Sequence, residues 1–489
     1  MSNLHWRPKD RRIKHFMWAV RPPTMGTGNL LWKLRRRTIC YSAQKCQLKG
    51  VNFAFLSNYP PLTPVFSNAV NYNKIEEKQF MLLFKRENYL SKIRNFYHVN
   101  DLIKVITGVR RSGKSSIMRL IADELQEKGV KESNICFLNL DAKGMRNIKT
   151  ADQLERLIDS KANVKGTKYL FLDEIQNVKG YEEVVNAYRE EGDYSIFLTG
   201  SNSYLLSGEL MTKLTGRYIE FEVYPLNFEE YLQMKGFYHM PIGLDLATEL
   251  RNYLQEGGFP ETVLLPSLGA KRTYVKALTD EILKKDIYRR IKIRKCDSFD
   301  VVMRYMINNF SRPTSKRNIL KGLEEGGLKI KESTLMRYIQ ALEDAKIIYP
   351  CQNFDLKSKR SLRGEKKYYL SDLSFTFLTD PNNISAYGPC LENIVYIYAR
   401  SKGYEAYVGK IGKLECDFVL RDLNLDYSYV QVAYTIASDT NTMEREYRSL
   451  LSIKDNYPKY LLTTDFLLQK KDGIKNENLM EFMRDGKLF

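Results

Sequence analysis

Nowhere in this chain do 18 uncharged apolar residues stand together, and its first residues show no apolar signal-peptide core. Neither a spanning helix nor a secretory leader is therefore read from it, and a cytoplasmic location is expected. Histidine is scarce, at four residues, and the seven cysteines (Cys40, Cys46, Cys136, Cys296, Cys351, Cys390, Cys416) include no C-x-x-C pair. That scatter argues against a disulfide framework and against a zinc site, and predicts free, mostly buried thiols. Tryptophan is scarcer still: all three (Trp6, Trp18, Trp32) lie near the start.

At 489 residues the chain is too long for one ordinary core, and about three domains are expected. Its 43% hydrophobic and 28% charged residues are those of a globular protein. The formal charge of +19 suggests a polyanionic partner, but residues 1–80 alone hold 14 Lys/Arg against 3 Asp/Glu. That basic segment has no sustained period and ends in a stretch containing Pro60, Pro61 and Pro64. It reads as a nucleic-acid-binding arm, an Arg-rich targeting peptide, or translated upstream sequence before a natural start at Met81. The last is preferred, because an amphipathic helix over 87–97 opens just after Met81 and leads into the strand described next.

The most informative stretch is 101–119. An apolar run from Leu102 to Ile106 precedes Gly108, Val109, Arg110, Arg111, Ser112, Gly113, Lys114 and Ser115, which meet the phosphate-loop pattern G-x-x-x-x-G-K-[ST]; Ser116 begins a helical period. Gly108 and Gly113 permit the tight turn that aims successive N–H groups at a phosphate on a helix N-terminus. Lys114 would reach the β- and γ-phosphates of ATP, and Ser115 would offer its hydroxyl to Mg²⁺.

Strands are expected over 134–139, 168–173 and 194–200, with helices over 116–128 and 151–160 between them. The run Lys168-Tyr-Leu-Phe-Leu ends in Asp173 and Glu174. Parallel strands buried on both faces read as continuous apolar runs and bind ligands at their carboxyl ends. Asp173 would hold Mg²⁺ and Glu174 would polarise the attacking water. The strand at 194–200 ends in Ser201 and Asn202, candidate sensors of the γ-phosphate or simple caps of a helix over 204–210.

The set GVRRSGKSS, YLFLDEIQNV, IFLTGSNSYLLSGEL, LTGRYIEFEVYPLNFEEYL and GGFPE resembles AAA-type ATPases of bacteria and archaea that carry a C-terminal, restriction-endonuclease-like domain of unknown function. The resemblance spans about 81–434. It implies an α/β P-loop NTPase core at 81–228, a helical lid at 229–298, a winged helix-turn-helix at 299–375 and a small α/β nuclease-like domain at 376–489. It also makes Arg217 a candidate γ-phosphate contact, in cis or from a neighbouring subunit of a homo-oligomer. Otherwise Arg217 is a loop arginine paired with Glu220 or Glu222.

In the winged region, helices are expected at 299–309, 316–324 and 332–345, with strands at 347–354 and 366–370. The connecting segment carries Lys357, Lys359, Arg360, Arg363, Lys366 and Lys367, a density suited to phosphate contact. The third helix mixes Arg337 with Glu332, Glu343 and Asp344, so a protein-docking wing is equally open. For the last domain the resemblance implies a metal site using Glu392, Asp417 and an acidic-x-Lys pair. Gln431 and Ala433 stand where that pair is needed and supply neither anion nor cation, so a fold without nuclease activity is expected. Glu415, Glu444 and Arg445 are possible substitutes that the sequence does not place. The favoured reading is an Mg²⁺-dependent ATPase coupled to a C-terminal module that meets DNA or protein; a slowly hydrolysing switch or scaffold and an ATP-regulated nuclease are the alternatives.

Overall fold

The computed structural model describes residues 82–162, 164–200, 216–288, 293, 295–379, 387–437, 440–468 and 471–489. The segment 1–80, Met81, the sensor candidates Ser201 and Asn202 and the helix expected at 204–210 lie outside the described residues.

Five strands, β1 (Ile103–Thr107), β2 (Ile135–Asn139), β3 (Lys168–Asp173), β4 (Tyr194–Thr199) and β5 (Tyr218–Glu222), form one sheet in the order β2-β3-β4-β1-β5, with every neighbouring pair parallel. Helices α1 (Glu87–Arg94), α2 (Lys114–Glu127), α3 (Ala151–Lys161) and α4 (Tyr181–Glu190) accompany it. The apolar runs become strands because both faces are covered. Leu170, Leu172, Ile196 and Leu198 join one cluster with α3 and α4, while Phe171 and Phe197 stack 4.7 Å apart in another with α1 and α2. Each such fully buried side chain contributes roughly 1.5–3 kcal/mol. This is an α/β P-loop fold, and all five strands run their carboxyl ends toward the loop that follows β1.

The lid expected after residue 228 is helical: α5 (Phe228–Phe237), α6 (Leu246–Glu256), α7 (Pro260–Leu264) and α8 (Leu268–Ile282). Asn227 caps α5 by accepting the Glu230 N–H at 2.9 Å, and Glu230 accepts the Asn227 N–H at 3.3 Å. After Ile282 the backbone leaves the α-helical pattern for a π-helical turn, Leu283–Tyr288. The glycines of the Gly257-Gly258 turn are required by close approach as well as by backbone freedom. A Cβ on Gly258 would lie 2.1 Å from the Leu226 carbonyl oxygen, and one on Gly257, whose φ is 77°, would lie 2.0 Å from Asp372 Oδ1.

Next come α9 (Cys296–Asn308), α10 (Lys316–Glu325) and α11 (Glu332–Asp344), then the hairpin of β6 (Ile348–Asp355) and β7 (Arg360–Leu370), in the order expected for a winged helix-turn-helix. Most of the basic connection is strand, however, and the hairpin does not stand apart. Together with β8 (Glu405–Ile411), β9 (Leu414–Arg421), β10 (Tyr427–Val432), β11 (Lys459–Thr463) and β12 (Lys475–Asn478), it forms a seven-stranded mixed sheet in the order β12-β11-β10-β9-β8-β6-β7. The boundary drawn at 375/376 therefore divides the strands of one sheet between two segments. Helices α12 (Tyr387–Lys402), α13 (Thr440–Leu451) and α14 (Leu479–Arg484) complete the described helices, and α12 packs on the sheet through Tyr396, whose ring stacks 4.3 Å from Tyr369 of β7. No helix among the described residues is long and apolar enough to cross a membrane.

Candidate nucleotide site

The loop after β1 adopts the shape its glycines allow. Gly108 (φ 135°) and Gly113 (φ 103°) lie in the left-handed half of backbone space, and Arg111 joins them at φ 67°. A Cβ on Gly108 would sit 2.1 Å from the Val223 carbonyl oxygen, so no larger residue fits. Helix α2 begins at Lys114 and turns its N-terminal N–H groups toward a cavity of about 310 Å³. Gly113, Lys114, Ser115, Asp173 and Glu174 all line that cavity.

Lys114 is buried, and its ammonium donates to the carbonyl oxygens of Gly108 (3.0 Å) and Val109 (2.9 Å). Burial pulls its pKa down to about 8, against the attraction of Glu174. The Ser115 hydroxyl donates to Asp173 Oδ1 at 3.0 Å. Two oxygen donors meeting at the phosphate end of the loop form the kind of partial shell that Mg²⁺ completes with water and substrate phosphates, so these residues fit that ion.

Three contacts here were not foreseen. Thr199, at the carboxyl end of β4, donates its hydroxyl to Asp173 Oδ1 and accepts the Glu174 N–H at 3.1 Å, binding both acidic residues to the neighbouring strand. Glu174 itself takes φ 58°, a strained conformation for a non-glycine residue, and its carboxylate accepts a hydrogen bond from the Gln176 amide. Arg110 turns away from the loop toward the lid and donates to Asp286 at 3.0 and 3.1 Å, with Glu281 at 3.7 Å. Beside the phosphate end lies a smaller cavity of about 60 Å³ whose walls include Leu83, Phe84, Ile117, Met234, Tyr238 and Pro260.

Arg217 is not near this site in its own chain. Strands β5 and β1 are parallel with Ile103 opposite Tyr218 and Thr107 opposite Glu222, so Arg217 lies at the amino end of the sheet, roughly 17 Å of strand from the loop. Its guanidinium donates to Asn186 Oδ1 at 3.1 Å and pairs with Glu190 at 3.5 Å, rather than with Glu220 or Glu222. Contact with the γ-phosphate in cis is ruled out by this placement.

Glu222 instead ends β5 among residues of the C-terminal half. Lys346 approaches it at 2.6 Å, the Tyr349 hydroxyl at 3.1 Å and Arg400 at 3.7 Å, while the Tyr224 hydroxyl donates at 2.7 Å. Burial favours its protonated form, but Lys346 and Arg400 prevail and hold its pKa below the ordinary value. One strand away, the Thr107 hydroxyl, immediately before Gly108, donates to Glu220.

The acidic residues expected at the C-terminal site do come together, around an unexpected cation. Lys367 of β7, counted from the sequence among the wing cations suited to phosphate contact, is buried, with its ammonium 2.7 Å from Glu392, 2.8 Å from Glu415 and 3.9 Å from Asp417. Burial opposes the ammonium, but the carboxylates outweigh it and raise its pKa above the ordinary lysine value. Gln431 bridges inward: its amide donates to Glu446 at 2.7 Å and its oxygen accepts from Ser449 at 3.2 Å. Glu444 is exposed, and Arg445 pairs with Glu446 at 2.7 Å. One lysine thus faces three carboxyl groups, and among the described residues no set of three or more His, Cys, Asp or Glu side chains is arranged to hold a metal ion. Of the other wing cations, Lys359 pairs with Asp455 at 2.7 Å and Lys366 with Glu343 at 3.8 Å.

Comparison with known proteins places these observations. Residues 100–232 match the family model described as an AAA domain, and 247–377 match a domain of unknown function, DUF8612. An uncharacterized protein of Haemophilus influenzae is 35% identical over 80% of this chain and 96% of its own length. An uncharacterized protein of Methanocaldococcus jannaschii is 32% identical over 73% of this chain and 80% of its own. Among solved structures, the Walker-type ATPase PABY2304 of Pyrococcus abyssi aligns over 60% of this chain and 96% of that one, with a TM-score of 0.44 and 17% identity. The chain belongs to the family of AAA-domain proteins that it shares with the Haemophilus and Methanocaldococcus proteins.

Proposed function

We propose that the protein binds and hydrolyses ATP with Mg²⁺, and that turnover is transmitted to its C-terminal half. The observation that carries this reading is the convergence of Lys114, the Ser115–Asp173 pair and Glu174 on one cavity at the carboxyl ends of parallel strands. The loop N–H groups would cradle the phosphates, and Lys114 would exchange its two carbonyl partners for phosphate oxygens. Ser115 and Asp173 would hold Mg²⁺, which supplies charge neutralisation between the β- and γ-phosphates. Glu174, oriented by Gln176, would accept a proton from the attacking water. Asn202 is retained as a sensor of the γ-phosphate, and Arg217 would enter the site only from a neighbouring copy. Coupling would run along β5, whose Glu222 touches both the helix–hairpin region and α12.

Steady-state phosphate release by the full chain tests this directly. Glu174→Gln should retain ATP binding while turnover falls by on the order of 10²–10⁴. Unchanged turnover in that variant would remove Glu174 as the base.

A further inference from the structure

We infer that Arg86, which lies outside every nucleotide-binding motif, is a positioning residue that aims the Gly113 N–H into the phosphate cradle and ties that peptide to the lid. This rests on the nucleotide-binding reading above. Arg86 is only 4% exposed and spends its planar fork on four elements. One guanidinium nitrogen, Nη1, donates to the carbonyl oxygens of Ser112 (2.8 Å) and Tyr224 (2.9 Å). Nε and Nη2 grip the Glu230 carboxylate at 3.0 and 2.6 Å. The Tyr89 ring lies 4.6 Å from the guanidinium carbon.

The consequence for the loop follows from peptide geometry. A trans peptide is planar, with its C=O and N–H pointing in opposite directions. Fixing the Ser112 oxygen on Arg86 therefore turns the Gly113 N–H away from Arg86 and into the concavity that ends at Lys114. Gly113, at φ 103°, has the freedom to place that peptide in more than one orientation, so something must choose. The same guanidinium is anchored by Glu230, whose carboxylate also receives the Asn227 N–H at the start of α5. Phosphate-loop geometry and lid placement thus share one buried ion pair. Lysine cannot replace this arrangement, because a single tetrahedral ammonium does not span a carboxylate and two carbonyls in a plane.

The test uses the full chain with Mg²⁺, measuring ATP and ADP binding by calorimetry and turnover at saturating ATP. Two variants are compared: Arg86→Lys, and the double variant Arg86→Met/Glu230→Met, which removes both buried charges together so that neither is stranded. Circular dichroism and the melting transition check that each is folded. Both variants should bind ATP and ADP on the order of tenfold more weakly, or worse, since the lost bonds are charge-assisted. KM should rise by a similar factor while kcat changes far less, a split that general loosening of the fold would not produce. A wild-type chain that binds ATP beside folded variants that bind it equally well overturns the assignment to Arg86 alone. A wild-type chain that binds neither nucleotide overturns the nucleotide-site reading and this assignment with it.

Discussion

Arg110 and Asp286 meet through two hydrogen bonds, 3.0 and 3.1 Å long, that join the phosphate loop to the π-helical turn of the lid. The arginine is two residues past Gly108, and the turn that carries Asp286 begins where an ordinary helix ends. Arg110 also lines the cavity proposed to hold the nucleotide, so a phosphate bound there would compete with this carboxylate for one guanidinium.

Asp286→Asn weakens that competition, because a neutral amide is a poorer partner for the guanidinium than a carboxylate. Its ATP dissociation constant should fall several-fold, read by calorimetry at fixed Mg²⁺. A rise would show that the bond holds Arg110 in its binding position instead.

The depressed pKa of Lys114 gives a pH dependence with a definite sign. The folded protein holds this lysine near pKa 8, below its ordinary value of 10.5, because burial disfavours the ammonium. Phosphate favours the charged form, so ATP binding should be strongest below about pH 8 and weaken as pH rises above it, with proton uptake accompanying binding there. Calorimetry in two buffers of different ionisation enthalpy, at pH 7 and pH 9, measures the proton directly. Equal uptake at both values contradicts the assignment.

Lys367 makes the C-terminal carboxylate group a matter of stability. Removing it by Lys367→Met leaves Glu392 and Glu415 facing each other without their shared cation. Breaking one side of such a buried arrangement costs about 3–5 kcal/mol, visible as a lower denaturant midpoint. Lys367→Met/Glu392→Met should recover part of that loss. Equal stability of the single variant and the wild type would mean that the ion pair adds nothing to the fold.

Lys367 also shows where the sequence stopped being readable. In a strand, adjacent side chains point to opposite faces, so of Lys366 and Lys367 one must turn inward. Counting both as wing charges overlooked that period, although both residues already lay in the strand expected at 366–370, which in the structure runs from Arg360 to Leu370. The loop from Gly108 to Ser115 was legible because its pattern is local and its flanking strand is a simple apolar run. Asp173 and Glu174 were legible for the same reason. Thr199 and Gln176 were not, since neither stands out until β3 and β4 are side by side. The choice between cis and trans contact for Arg217 was not legible, because it depends on the register of β5 against β1, which no local signal gives. The π-helical turn escaped because its residues keep an ordinary helical composition. Strands β11 and β12 escaped because they are short, the latter reading Lys-Asn-Glu-Asn.

The sharing of one sheet between the β6–β7 hairpin and the five strands after it limits how this chain can be shortened or recombined. A fragment ending at residue 377, where the second matched region stops, would keep the hairpin but lose β8, which pairs with β6 from Asn353 to Asp355. The exposed β6 edge would offer unpaired N–H and C=O groups to any other copy, inviting aggregation during expression. Cloning boundaries taken from the matched segments would thus yield an insoluble product from a protein whose whole C-terminal half is sound. By the same logic, an insertion or gene fusion near 375 interrupts a fold from within, so the two regions have to be inherited together.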